Sequence, residues 1–276
     1  MDIYTASLRG VITGCGTEYK WAQFPSGLMT SEYRTNRLMV GDAWGVRPSG
    51  ADQMPSKMVT FDININQPAN PALTELLLSD LAESWAPVES GVIALAISTN
   101  AGERVMFGRP VSFAGDLSEI RFDKARARCV FEATDPRLFG ASVSSIVLGL
   151  TAGGGLTFPM TFPLTFGAGS DSDGSAVNAG NTSTPWTATI VGPVTTPRIT
   201  LGETGEYVEL DGVVPSGSTL IVNSDDQSVL LDGSPRPSWQ TLLSRWWTLP
   251  RDTSTIRYRA ASGSGSCTFA WRSAWL

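Results

Sequence analysis

Histidine is absent from the 276-residue chain, which removes imidazole as general base, proton shuttle and metal ligand. Ser-His-Asp and Cys-His nucleophile sites and the His-Glu-x-x-His zinc helix are therefore excluded. Cysteine is scarce: Cys15, Cys129 and Cys267 lie more than a hundred residues apart. No Cys-x-x-Cys knuckle or redox pair can form, and an odd number of thiols is a poor disulfide framework. Buried, free thiols of a reducing compartment are the reading that follows. Met1 to Thr5 lacks a basic segment followed by an apolar one, and no run approaches ~18 apolar residues, so neither a signal peptide nor a membrane span is expected. The net charge of −6 is spread over both halves: 13 basic and 16 acidic residues in 1–150, then 7 and 10 in 151–276. A binder of nucleic acid would carry a basic excess somewhere.

What remains is β-forming sequence. Gly, Ser and Thr are abundant, Lys is rare, and the hydrophobic period is mostly two. In Val59 to Asn66, Val59, Phe61, Ile63 and Ile65 fall on one face and polar residues on the other. In Ala125 to Ala133, Ala125, Ala127, Cys129, Phe131 and Ala133 share the buried side, opposite Lys124, Arg126 and Arg128. One helix is expected from an Asn70 cap and Pro71 down to Pro87, with Leu73, Leu76, Leu77, Leu81 and Trp85 as its buried stripe. Val92 to Ile97 and Arg104 to Phe107 read as a hairpin. The first half is thus an α+β barrel or sandwich with one helix.

Residues 149–180 differ in composition, with Gly/Ser-rich ends around a repeat, Thr157-Phe158-Pro159-Met160, Thr161-Phe162-Pro163-Leu164, Thr165-Phe166. Proline enforces extended backbone there, and Phe158, Phe162 and Phe166 would be costly in water, so the segment reads as an adhesive linker packing on a domain or subunit. After Gly180 come short strands separated by turns, Trp186 to Val191, Arg198 to Leu201, Tyr207 to Asp211, Thr219 to Asn223, Ser228 to Leu231, Thr255 to Ala260 and Cys267 to Trp271. That spacing implies a β-sandwich, interrupted at Ser238 to Leu249 by one apolar helical turn carrying Leu242, Leu243, Trp246 and Trp247. The chain divides into 1–148, a linker 149–180, and 181–276.

Few constellations carry chemistry. Asp171-Ser172-Asp173-Gly174 has the alternation of a calcium loop without its closing Glu, and reads as a solvated flexible loop. Asp225-Asp226 reads as a hairpin turn. Gly153-Gly154-Gly155 lacks the Gly-Lys-Ser/Thr of a phosphate loop, and Asn181-Thr182-Ser183 is a sequon without meaning in a chain that is not secreted. The row Lys124, Arg126 and Arg128 is a charged strand face, suited to salt bridges at a subunit contact. Nine tryptophans, five of them in the last 40 residues, admit sugar stacking, although most fall at core positions. No catalytic, cofactor or metal residues are assigned; the chain is not expected to be an enzyme, and function lies in assembly or recognition.

The order of parts resembles one family, the distal tail proteins of siphophages. Gly41-Asp42-Ala43-Trp44-Gly45 before the strand Lys57 to Asn66 and the helix at Pro71 is similar to their tail-tube-like N-terminal domain. Ala125 to Ala133 running into Asp135-Pro136-Arg137-Leu138-Phe139-Gly140 resembles that domain's closure. Asn178-Ala179-Gly180-Asn181 before Trp186, Ile190-Val191-Gly192-Pro193, Thr196-Pro197-Arg198-Ile199 and Ser244-Arg245-Trp246-Trp247-Thr248-Leu249-Pro250 resemble the family's galectin-like sandwich. Arg251-Asp252 and Asn223-Ser224-Asp225 depart from its usual turns. The resemblance implies a mainly β chain that forms a hexameric ring at the distal end of the virion's tail, joining tail tube to tail tip around a channel for DNA. Tube, tape-measure and tail-tip hub proteins are then its partners, with no membrane insertion. Edge strands of the small barrel would pair around the ring. The alternative is a lectin-like adhesion protein binding host-surface glycan.

Overall fold

The computed structural model describes residues 4–28, 37–39, 46–48, 54–150 and 171–276. Gly41 to Gly45, the Gly153 to Gly155 run and Phe158, Phe162 and Phe166 lie outside them. Two compact units divide between Ala141 and Ser142.

The first unit contains β1 (Thr5–Leu8), β2 (Val11–Gly14), β3 (Tyr19–Trp21), the small pair β4 (Arg37–Met39) and β5 (Val46–Pro48), β6 (Lys57–Asn66), helix α1 (Pro71–Ser84), β7 (Ile93–Thr99), β8 (Gly102–Asp116), β9 (Lys124–Ala133) and β10 (Leu138–Gly140). Seven strands run in the order β8-β7-β1-β2-β3-β6-β9, and pairing of β8 with β9 closes them into a barrel. The expected hairpin is β7–β8, but β8 is far longer than its apolar run because its second half leaves β7 for β9. Gly108 sits at that change of partner, opposite Ile93 on one side and Ala133 on the other. A Cβ there would lie 2.0 Å from the Glu132 carbonyl oxygen, so only glycine lets the strands approach.

The alternation of β6 and β9 is realised in full register, Phe61 opposite Cys129 and Ile63 opposite Ala127, with all four buried. Helix α1 starts at Asn70, whose side-chain oxygen accepts from the Leu73 N–H, with Pro71 in its first turn. Its buried face is Thr74, Leu77, Leu78, Leu81 and Ser84, with Trp85 at the cap, and Leu76 points to solvent. Leu77, Leu81 and Trp85 of the expected stripe are buried, but Leu76 is not: Leu78, at i+4 from Thr74 and i−3 from Leu81, is buried in its place. Trp85 meets Phe61 edge-on at 5.8 Å, and its indole N–H donates to the Val130 carbonyl.

The second unit is a sandwich. Its strands are β11 (Ser144–Gly149), β12 (Asp171–Asn178), β13 (Trp186–Val191), β14 (Val194–Leu201), β15 (Tyr207–Glu209), β16 (Val213–Val214), β17 (Thr219–Asn223), β18 (Ser228–Leu231), β19 (Ser234–Pro235), β20 (Asp252–Gly263) and β21 (Ser266–Trp271). One sheet is β11-β21-β13-β17-β18-β19 and the other β12-β20-β14-β15, with β16 beside β14. Between them Trp186, Ile190, Phe269, Ile199, Val208, Ile256 and Tyr258 form the core.

Three local readings are corrected here. β11, expected at the end of the first domain, pairs with β21 of the sandwich. Asp171 to Gly174, expected as a flexible loop, belongs to edge strand β12, whose eight residues pair with β20. Ser238 to Leu249 does not place Leu242 and Leu243 in the core: after a single 3-10 turn at Pro237–Trp239, Leu242 is 103% and Leu243 75% exposed, while Trp247 and Leu249 are buried. A Thr241–Ser244 turn is pinned to β15 by Thr241 N–H to the Glu209 carbonyl and by the Ser244 hydroxyl, which donates to that carbonyl and accepts from the Glu209 N–H. Backbone pairing thus fixes the loop's path, and the two leucines fall on its outer side.

Candidate assembly surfaces

The cationic row lies on the barrel's outer wall, as alternation in β9 requires, and its two arginines are matched by acids, one on strand β6 and one in the turn before β9. Arg128 Nε lies 2.8 Å from Asp62 Oδ1 on β6, and Arg126 Nη2 lies 2.8 Å from Glu119 Oε1. Gln23 also donates to Asp62. The Arg128 hydrogen bond holds the Asp62 carboxyl below its ordinary value, against a smaller opposing effect of burial. Among the described residues Lys124 makes no ion pair. Two shallow grooves flank the row: one of about 480 Å³ beside Asp62, Asp116 and Arg128, another of about 380 Å³ beside Lys20, Glu119 and Lys124. With acids and bases interleaved, this wall suits a polar protein contact better than a phosphate backbone.

The two sheets of the sandwich differ in a way the sequence did not announce. The strands of the five-stranded sheet carry Asp171, Asp173, Arg198, Glu209, Asp252, Arg257 and Arg259. Arg257 lies 3.5 Å from Asp173, Arg198 3.8 Å from Glu209, and the Arg198 guanidinium stacks 3.5 Å over the Tyr207 ring. The six-stranded sheet has no charged residue in any strand. One row across it is Val147, Thr268, Thr189, Ile221 and Leu230, linked by the registers of β11, β21, β13, β17 and β18. Val147 is 70% exposed. Absence of charge is a mark of protein contact cores. The absence could have been read from the strand sequences, but which residues face outward needs the sheet partners.

The thiols follow the expected division in part. Cys129 and Cys267 are buried and Cys15 is exposed. Burial pushes the Cys129 thiol up to about 12, with a further push from the Asp62 charge, and burial alone takes Cys267 to about 12. Asp225 and Asp226 occupy the β17–β18 turn, where Asp226 accepts from the Ser228 N–H and Asn223 from the Asp225 N–H. Among the described residues, no cluster of three or more His, Cys, Asp or Glu side chains could hold a metal ion, and no helix is long and apolar enough to cross a membrane.

Comparison with known proteins gives these surfaces a setting. Residues 179–275 match the family of the siphovirus-type tail component, C-terminal domain. No curated protein sequence matches the chain. Among solved structures, the SPP1 Dit (gp 19.1) protein, described as a paradigm of the hub adsorption apparatus in phages infecting Gram-positive hosts, aligns over 99% of this chain and 100% of its own, with TM-score 0.65 and 12% identity. A chain of the phage P2 baseplate, activated with Ca, aligns over 98% of each chain with TM-score 0.54 and 9% identity. The strontium-activated p2 baseplate gives TM-score 0.52 and 10% identity, covering 97% of this chain and 98% of that one. Identities this low speak for the fold, and the family match speaks for the sandwich. Residues 179–275 thus match the siphovirus-type tail component, C-terminal domain, and the chain as a whole has the fold of the Dit hub protein.

Proposed function

We propose that this tail component is the distal tail hub of a long, non-contractile-tailed phage, a structural and not a catalytic protein, assembling as a hexameric ring that joins the tail tube to the tail tip and leaves a channel for DNA. The observation that carries the reading is the Dit fold over 99% of the chain together with the tail-component domain at its C-terminal end. A ring of identical copies needs two different complementary surfaces on each protomer. Closure of the barrel through β8 and β9 removes the open strand edges that the sequence suggested for this purpose. Ring contacts therefore fall to side chains on the outer wall, where Lys124 stands beside the ion-paired Arg126 and Arg128. Phe158, Phe162 and Phe166 are proposed as further packing positions. Six copies would carry −36, a charge that discourages DNA from adhering to a conduit it must pass through. Tail tube, tape-measure and tail-tip hub proteins are the partners this reading requires.

Native mass spectrometry tests it. A species near 176 kDa, six times 29.4 kDa, is expected. A chain that stays monomeric both alone and with tube and tape-measure proteins would overturn the hub reading. Replacing Phe158, Phe162 and Phe166 together by Ser should weaken the ring; an unchanged mass distribution removes those residues from the interface.

A further inference from the structure

At one end of the sandwich a cleft of about 350 Å³ opens between the β14–β15 turn, the β17–β18 turn and the strand-like segment before Pro250. Its apolar wall is the indole pair Trp246 and Trp247, and its polar rim is Thr204, Glu206, Gln227 and Thr248. The volume lies within the roughly 300–1,000 Å³ typical of small-molecule sites, and few polar groups around an aromatic wall is their usual composition. We propose that this cleft binds a neutral hexopyranose unit of a polysaccharide.

The aromatic wall is held in place before any ligand arrives. Trp247 is 4% exposed and stacks on Phe269 at 5.9 Å with 17° between the rings, and its centroid lies 4.6 Å from that of Trp186. Trp246 is only partly buried, and its indole N–H donates to Gln240 Oε1 at 3.2 Å. Trp246, braced by this bond and by Trp186 at 6.4 Å, is the indole left partly open at the cleft, a flat apolar surface suited to the C–H face of a pyranose ring. The Trp247 N–H is buried with no acceptor among the described residues.

The rim supplies what sugar hydroxyls need. The Gln227 amide, both donor and acceptor, and the Thr248 hydroxyl make no hydrogen bond among the described residues, so both are free to meet a ligand. Glu206 is placed by a tight turn, Gly205 N–H to the Leu201 carbonyl and Leu201 N–H to the Glu206 carbonyl, both 2.9 Å. Its carboxylate accepts from the Thr204 hydroxyl at 3.3 Å and keeps further acceptor capacity. Charge selects the class of sugar. No cationic residue lines the cleft, and Asp225 and Asp226 share the turn that carries Gln227, so uronic acids and phosphorylated sugars are repelled.

The site is independent of the hub reading, and its test keeps the two apart. Saturation-transfer NMR and tryptophan fluorescence on the full chain would use methyl glucoside, methyl galactoside, N-acetylglucosamine and neutral oligosaccharides built from them, with glucuronate as the charged control. Saturable binding of at least one neutral probe is expected, with Kd of about 1 mM for a single sugar, and none for glucuronate. Gln227→Ala and Glu206→Gln should each weaken it about tenfold with an unchanged melting temperature, and Trp246→Ala should abolish it. No saturable binding by any neutral probe, equal binding of glucuronate, or full binding retained by Gln227→Ala and Glu206→Gln would overturn the proposal. The native mass of these variants stays that of the parent chain, so a failure to form rings counts against the hub alone.

Discussion

Trp186→Ala offers a direct measure of how the sandwich is held together. The Trp186 side chain is 1% exposed, its ring lies 4.6 Å from Trp247 and 5.2 Å from Phe269, and its N–H donates to the Trp247 carbonyl at 2.9 Å. Truncation removes the whole aromatic contact and leaves a cavity that neighbours in two sheets cannot fill, a loss of about 3–5 kcal/mol for such residues. The unmade hydrogen bond adds about 1 kcal/mol. Against a total domain stability of about 5–15 kcal/mol this is a large share, and at roughly 4 °C per kcal/mol it lowers the melting temperature by about 20 °C. Trp186→Phe keeps a ring against Trp247 and Phe269 and loses mainly the N–H, so it should cost about 1–2 kcal/mol. Urea titration followed by fluorescence and far-UV circular dichroism gives both numbers. A loss below about 2 kcal/mol for Trp186→Ala, or equal losses for the two variants, would refute the picture of a ring wedged between the sheets.

Other expectations are simpler. Iodoacetamide at neutral pH should label Cys15 in the folded chain and spare Cys129 and Cys267, as read by peptide mass spectrometry, because burial holds both thiols near 12. Leu242→Ser with Leu243→Ser should change stability by no more than about 0.5 kcal/mol, since neither side chain is covered; a larger loss in a thermal melt would show that the leucines are packed. Asp62 has its pKa lowered in the fold, so its contribution is present above the unfolded value near about 3.9 and is lost as pH falls through the lower folded value. Asp62→Asn should flatten the stability–pH curve in that acid window and leave its slope near neutral pH unchanged.

Much of the fold was legible because period and turn chemistry are local. β13, β17 and β18 fall on the residues that alternation picked out, and α1 begins at the Asn70–Pro71 cap and first turn. The misplacements have physical causes. Edge strand β12 opens with Asp-Ser-Asp-Gly-Ser, residues of low strand propensity, and these are strand because β20 offers a full ladder to pair with. Leu242 and Leu243 resemble core residues by type, but the backbone pairing of Thr241 and Arg245 to β15 turns them outward. The polar rim of the proposed sugar cleft comes from three separate segments, so no spacing along the chain could reveal it.

By itself the sequence determined the exclusions and the class: no imidazole, no clustered thiols, and alternating β segments in a two-part order similar to siphophage distal tail proteins. Those depend on composition and on neighbours within a few residues. Only the tertiary structure decided that the barrel closes through β8 and β9, that Asp62 and Glu119 answer Arg128 and Arg126, and that charge is confined to one sheet of the sandwich. Each of these depends on which strands are neighbours, and strand neighbours are chosen by long-range pairing that no local pattern encodes.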